Sequence, residues 1–151
     1  MTDIPAEEYL CSRIRRTEQA LMAHHEAALR RYGLTMTQYA VLLALSREDG
    51  LSAAQLARSG GVSQQSMAGV LGTLEGKELI RRSPSPVHAK VQLTTLTGTG
   101  RELLARAYQE VIALERALLA AFTAPEYAAF SELLERATQV LVEQTPARQP
   151  K

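Results

Sequence analysis

The stretch from Leu51 to Thr97 constrains this 151-residue chain most, because two short helical periodicities meet there at a glycine turn and two strand-like runs follow. Leu51-Ser-Ala-Ala-Gln-Leu-Ala-Arg58 repeats apolar residues at helical spacing and predicts a short helix with Ser52 as its N-cap. Ser59-Gly-Gly61 stops it, and Gly61 can take the positive φ of a tight turn. Ser63 then offers its hydroxyl to the free N–H groups of a second helix, roughly residues 64 to 77. Val62, Met67, Val70, Leu71 and Leu74 give that helix one apolar side. Gln64, Gln65, Ser66, Ala68, Gly69, Gly72 and Thr73 are left on a free face that is polar, small and neutral.

Leu79-Ile-Arg-Arg-Ser83 can pair with Lys90-Val-Gln-Leu-Thr-Thr-Leu96 as two strands around residues 84–89. Alternation places Val91, Leu93 and Thr95 on one face and Gln92 and Thr94 on the other. The pattern is a helix-turn-helix followed by a β-hairpin wing. Such units lay the start of their second helix in the major groove, where glutamine bonds adenine N6 and N7 and serine serves base or phosphate. The same pattern also fits a helical hairpin that packs and binds nothing.

Five consecutive segments widen the match. Leu34-Thr-Met-Thr-Gln-Tyr-Ala-Val-Leu42, Gly50-Leu-Ser-Ala-Ala-Gln-Leu-Ala57, Gly61-Val-Ser-Gln-Gln-Ser66, Leu74-Glu-Gly-Lys-Glu-Leu-Ile80 and Leu96-Thr-Gly-Thr-Gly-Arg101 resemble, in order, the signatures of the MarR family. The resemblance covers residues 10–141 and implies a dimeric winged-helix transcription regulator on a pseudo-palindromic operator, of the kind released from DNA by phenolic ligands or oxidants. It departs from the family at the wing tip, where His88 occupies the usual aspartate position and Lys90 the usual arginine position. Lysine keeps the charge but loses the planar fork suited to a narrow groove. The candidate DNA contacts are therefore Ser63, Gln64, Gln65, Ser66, Ala68, Gly69 and Thr73 on the helix, with Arg82, His88 and Lys90 on the wing.

Charge distribution agrees with that placement although the net charge is only +1. Residues 1–50 hold 6 basic and 7 acidic side chains, residues 51–97 hold 5 and 2, and residues 98–151 hold 6 and 7. The excess positive charge belongs to the winged-helix stretch, carried by Arg58, Lys77, Arg81, Arg82 and Lys90. So few cations predict a shallow salt dependence of DNA binding. The length and the 46% apolar content suit one domain with an extended dimerisation part. No apolar run reaches membrane-spanning length and the N-terminus lacks the order of a secretory signal, so the expected location is cytoplasmic. A single cysteine, Cys11, allows no internal disulfide.

The predicted architecture is mainly α with a small β-hairpin wing. Residues 6–33 and 98–144 are expected to form dimerisation helices, residues 34–97 the winged helix-turn-helix lobe and residues 145–151 a frayed tail. Leu10, Ile14, Thr17, Leu21, His24 and Ala28 recur at 4,3,4,3,4 spacing along a first helix that Gly33 ends. Thr35 or Thr37 starts the next, which sends Tyr39, Leu42, Leu43 and Leu45 toward the core. A long helix from Gly98 to Phe122 and a last one begun near Pro125 carry wide apolar stripes. Such surface needs covering, and a two-fold dimer covers it while setting two recognition helices roughly 34 Å apart; a monomer folded back on itself is the other solution.

Cys11 resembles the peroxide-sensing cysteine of the family's organic-hydroperoxide branch, but Arg15 and His25 stand where that branch has tyrosines. Positive charge from Arg13, Arg15 or His25 can activate a thiol; equally, Cys11 can be an inert half-buried one. The family's effector pocket implies His24, His25, Met36, Tyr39 and Tyr108 as lining residues for a small phenolic or other aromatic ligand, each of which can instead be simple packing. No metal site is expected, because His24 and His25 point about 100° apart on one helix. No nucleophile elbow or phosphate loop supports catalysis, and no cofactor is called for. The uncharged helix face, its two interior glycines and the altered wing leave open a second class of function, a degenerate winged-helix dimer with weak DNA affinity that binds ligand or protein.

Overall fold

Apolar periodicity becomes burial in one half of the chain and not in the other. The computed structural model describes residues 9–145 except Ala89, so expectations for residues 6–8 and 146–151 fall outside it. The elements are α1 (Leu10–Arg30), α2 (Met36–Arg47), β1 (Leu51–Ser52), α3 (Ala53–Ser59), α4 (Gln64–Gly76), β2 (Ile80–Pro84), β3 (Gln92–Leu96), α5 (Gly98–Ala120) and α6 (Ala124–Glu143). The chain divides within α5, one compact unit ending at Val111 and the second beginning at Ile112.

Local chemistry sets the helix ends of the first unit. Gly33, at φ +64, closes α1, with Gly33 N–H donating to Arg30 and Leu34 N–H reaching back to the Leu29 carbonyl at 3.2 Å. Thr35 rather than Thr37 starts α2, through a reciprocal capping box with Gln38. Ser52 and Gln55 form the same box at α3, and Ser63 caps α4. At the far end of α4 the left-handed residue is Glu78, φ 58, whose N–H donates to Glu75 while Leu79 N–H reaches the Leu74 carbonyl.

The sheet differs from the expected two-strand wing. Besides the Ser52 cap, Leu51 and Ser52 form a third strand, pairing antiparallel with β3 through Leu51↔Thr94 and Ser52↔Leu93 in the order β1-β3-β2. β2 pairs with β3 from Ile80↔Leu96 to Pro84↔Gln92. Alternation groups the β3 residues as expected, but the face turned to the core is that of Thr94 and Leu96, 1% and 3% exposed, with Leu93 and Thr95 only half-buried. Val91 lies outside the strand and is exposed. Ile80, directly opposite Leu96, decides this by seating that face on the helices.

The core of the first unit draws on every helix in it: Leu29, Leu42, Leu45, Leu56, Met67, Leu71 and Leu74 are each at most 1% exposed. At roughly 25 cal/mol per Å² of apolar surface, each such side chain contributes about 2 kcal/mol. Of the α2 residues expected inside, Tyr39, Leu42 and Leu45 are buried and Leu43 packs at the edge. The start of α5 is fixed against the end of α4. Thr97 N–H donates to the Leu79 carbonyl, Thr97 Oγ1 to that of Glu78, and Gly100 lies so close that a Cβ there would sit 2.0 Å from Leu79 O. Arg31 and Tyr32, at the end of α1, both reach Glu110 of α5 at 3.3 Å. In the second unit, Thr123 and Glu126 cap α6 and Phe122 stacks on Phe130 at 5.5 Å, yet α6 has no buried residue.

Candidate nucleic-acid interface

The buried side of α4 is Met67, Leu71 and Leu74, so its opposite side must face out, and every one of Gln64, Gln65, Ser66, Ala68, Gly69, Gly72 and Thr73 is exposed. Gln64 and Gln65 make no side-chain hydrogen bond among the described residues. Ser63 has a task inside the protein: its Oγ accepts from Ser66 N–H at 3.1 Å and lies 2.9 Å from Ser66 Oγ. It is thus a cap first. Thr73 donates its hydroxyl to the Gly69 carbonyl, keeping only acceptor capacity outward. Neither Gly69 nor Gly72 has protein within 4 Å of where a Cβ would stand. Each interior glycine costs about 1 kcal/mol of helix stability against alanine, and nothing within the chain requires it.

The wing presents His88 and Lys90 at an exposed tip, where His88 N–H and Val87 N–H both donate to Ser85 Oγ. Arg82 does not stand free beside them. Its Nε donates to Glu75 Oε2 at 2.8 Å and its Nη2 contacts the same oxygen, tying the wing root to the last turn of α4. The guanidinium hydrogen bond holds Glu75 below the usual carboxylate value, and the carboxylate raises Arg82. Lys77 is also spent within the protein, donating to the Gly33 carbonyl at 2.6 Å. Of the five cations in residues 51–97, Arg58, Arg81 and Lys90 remain exposed with no acidic or carbonyl partner among the described residues. Neither the Glu75 contact nor the Lys77 contact is legible in the sequence, because both partners are non-local.

A cavity of about 410 Å³ lies beside the start of α4, lined by α2 (Met36, Thr37, Ala40, Val41, Leu43, Ala44, Arg47), the end of α3 (Leu56, Ser59, Gly60) and Met67 of α4. Of the five expected effector residues only Met36 forms part of this wall. Tyr39 is buried at 3% exposure, and burial, reinforced by Tyr108, raises its hydroxyl pKa against the opposing pull of Arg47. Tyr108 is 39% exposed. His24 is exposed and its ring lies 6.2 Å from that of His25, whose Nδ1 is buried with no partner among the described residues. Burial first, and His24 second, lower the pKa of His25. Arg47, the one cation on the cavity wall, escaped the sequence reading; the small residues Ala40 and Ala44, one turn apart on its face of α2, were the available signal.

Cys11 is exposed in the first turn of α1. His25 stands 14 residues along the same helix, roughly 20 Å away at 1.5 Å per residue, so within one chain it is too far to activate the thiol.

The profile described as MarR family matches residues 32–90. The HTH-type transcriptional repressor Rv2887 of Mycobacterium tuberculosis is 39% identical over 110 residues, which cover 73% of this chain and 79% of that protein. The solved structure of the transcriptional repressor CouR bound to a 23-mer DNA duplex superposes with a TM-score of 0.78 at 26% identity, covering 88% of this chain and 96% of that one. That of Rv2887 in complex with p-aminosalicylic acid gives 0.65 at 35% identity over 86% and 98% of the two chains. With its helix-turn-helix, its three-stranded winged sheet and a relative this similar over most of its length, the chain belongs to the MarR family.

Proposed function

We propose that two copies of this chain form a transcriptional repressor that reads double-stranded DNA with α4 and the wing and is released by a small aromatic acid. One observation carries the reading. The first turn of α4 offers Gln64 and Gln65 to the exterior with no side-chain hydrogen bond among the described residues, and Ser66 is exposed beside them, while the other side of the same helix is sealed into the core. Ser63 serves as the cap that orients this turn, and the free N–H groups of the helix start favour a phosphate beside it. Ala68, Gly69 and Thr73 give a low surface along which the helix can lie deep in the major groove, and His88 and Lys90 meet the neighbouring groove. The relatives are named as repressors and one was solved on a duplex, which supports the same direction.

Residues 6–33 and 98–144 are the proposed dimerisation helices and residues 34–97 the DNA lobe. Leu10 at 65% exposure, Leu133 at 51% and Val142 at 68% are the apolar side chains a partner would cover. The cavity beside α4 is apolar with Arg47 at its edge, a fit for an aromatic ring bearing a carboxylate. His24, His25, Tyr39 and Tyr108 are proposed to act on the effector side only once two chains are assembled, and Cys11 is proposed as a sensor only in that setting. Among the described residues no helix is long and apolar enough to cross a membrane, in keeping with a cytoplasmic regulator.

Fluorescence anisotropy against the chain's own upstream region at low salt tests the reading. Nanomolar binding that Gln65→Ala reduces to the level of an unrelated duplex is the expected result. Equal weak binding to every duplex favours the second reading, a ligand- or protein-binding dimer, for which the neutral α4 face and the engaged Arg82 are the supporting observations.

A further inference from the structure

The sequence assigns Arg82 to DNA as one of few wing cations, and the strand register gives it a different neighbour. Arg82 stands opposite Thr94, two residues from the Ile80↔Leu96 pair, so its side chain leaves the sheet on the face that packs on the helices. There Glu75 receives both Nε and Nη2 on one carboxylate oxygen. With side chains 36% and 38% exposed, the pair sits at the rim of the α4–β2 contact. Beyond it the hairpin is held by its own bonds, such as Ser85 N–H to the Val91 carbonyl at 2.7 Å. Among the described residues no hydrogen bond or ion pair joins that outer part to α4.

We propose that Glu75 and Arg82 form a brace that sets the angle between α4 and the wing, making them positioning residues for the DNA reading proposed above, on which this inference rests. An isolated two-stranded ribbon is weakly held. From Arg82 the strand runs two residues to Pro84 and the loop carrying Lys90 lies just beyond, a lever of roughly 12 Å, so a swing of about 15° displaces Lys90 by about 3 Å, enough to lose a groove contact that needs about 3 Å separation. Releasing Arg82 to a phosphate is the competing use, and it would leave the Glu75 carboxylate uncompensated next to a polyanion.

Spin labels at Ala68→Cys and Val87→Cys in a Cys11→Ser background, diluted with unlabelled protein, report the helix-to-tip distance in the free protein. The parent is expected to give a narrow distribution, Arg82→Gln a broad one, and the reversed pair Glu75→Arg with Arg82→Glu a narrow one again. An unchanged width in Arg82→Gln overturns the brace whether or not the protein binds DNA. On a duplex from the upstream region, Arg82→Gln should weaken binding about tenfold with the salt slope unchanged, and the reversed pair should recover most of it, as coupled neighbours do. A slope reduced by about 0.9 per lost phosphate contact, with no recovery in the reversed pair, makes Arg82 a phosphate ligand and overturns the brace. Absence of duplex binding by the unmodified protein would remove the proposed function alone, since the label distances still decide on the brace.

Discussion

The two units treat the same kind of side chain in opposite ways. In the first, leucines at helical spacing on α2, α3 and α4 are sealed to 0 or 1% exposure, whereas α6 in the second carries Tyr127, Phe130, Leu133, Leu134, Val140 and Leu141 at similar spacing and buries none of them. An amphipathic period thus states that a face wants cover without saying which chain supplies it. In the first unit the cover comes from the same chain. For α6 we assign it to the partner copy.

Gly100→Ala should break the first unit hardest. A Cβ 2.0 Å from the Leu79 carbonyl meets backbone that cannot step aside, so a loss of about 3 kcal/mol or more is expected, read as a lowered midpoint in urea. Phe130→Glu should do the complementary damage. It leaves far-UV ellipticity largely intact but shifts sedimentation equilibrium from dimer to monomer and weakens operator binding about a hundredfold, as loss of a central aromatic anchor does. An unaltered dimer in Phe130→Glu would break the contrast between the units.

Smaller changes sharpen it. Glu78→Gly relieves a non-glycine residue at φ 58 and should stabilise by roughly 1 kcal/mol. Gly69→Ala meets no protein within 4 Å and should add up to about 1 kcal/mol as well. Of these two, Gly69→Ala alone should weaken DNA binding, because its cost appears against the groove. The mildest effect is a pH dependence. Since burial lowers the folded-state pKa of His25 from its ordinary 6.5, the unfolded chain takes up that proton first. The stability of the native state is therefore intact above that pH and declines on acidification below it, and His25→Gln should flatten the decline in unfolding midpoints measured between about pH 7 and pH 5.

Much of the winged lobe was legible because its signals are local. Ser52 and Ser63 each cap a helix start through an N–H three residues on, and the apolar set Met67, Leu71, Leu74 is one face of one helix. What escaped was non-local. A two-residue strand at Leu51–Ser52 has meaning only beside Thr94 and Leu93, 41 or more residues away. The inward turn of Thr94 depended on Ile80 meeting Leu96. Arg82 looked like a DNA cation because the six positions between it and Glu75 contain the helix end, and only the fold brings the two together. The cavity beside α4 arises from Ala40 and Ala44 failing to fill space, and a small residue is a weak signal in any single sequence. With Lys77 and Arg82 both engaged, at most three cations of residues 51–97 per chain are available for phosphates, which caps the salt slope of a dimer at about 5.

Hydroxyl-radical footprinting of the upstream duplex tests the central claim most directly. Two copies reading with paired α4 helices should protect two patches on one side of the duplex, about 10 base pairs apart centre to centre, and both should vanish together in Gln65→Ala. A single patch, or protection spread evenly along the duplex, would contradict the account.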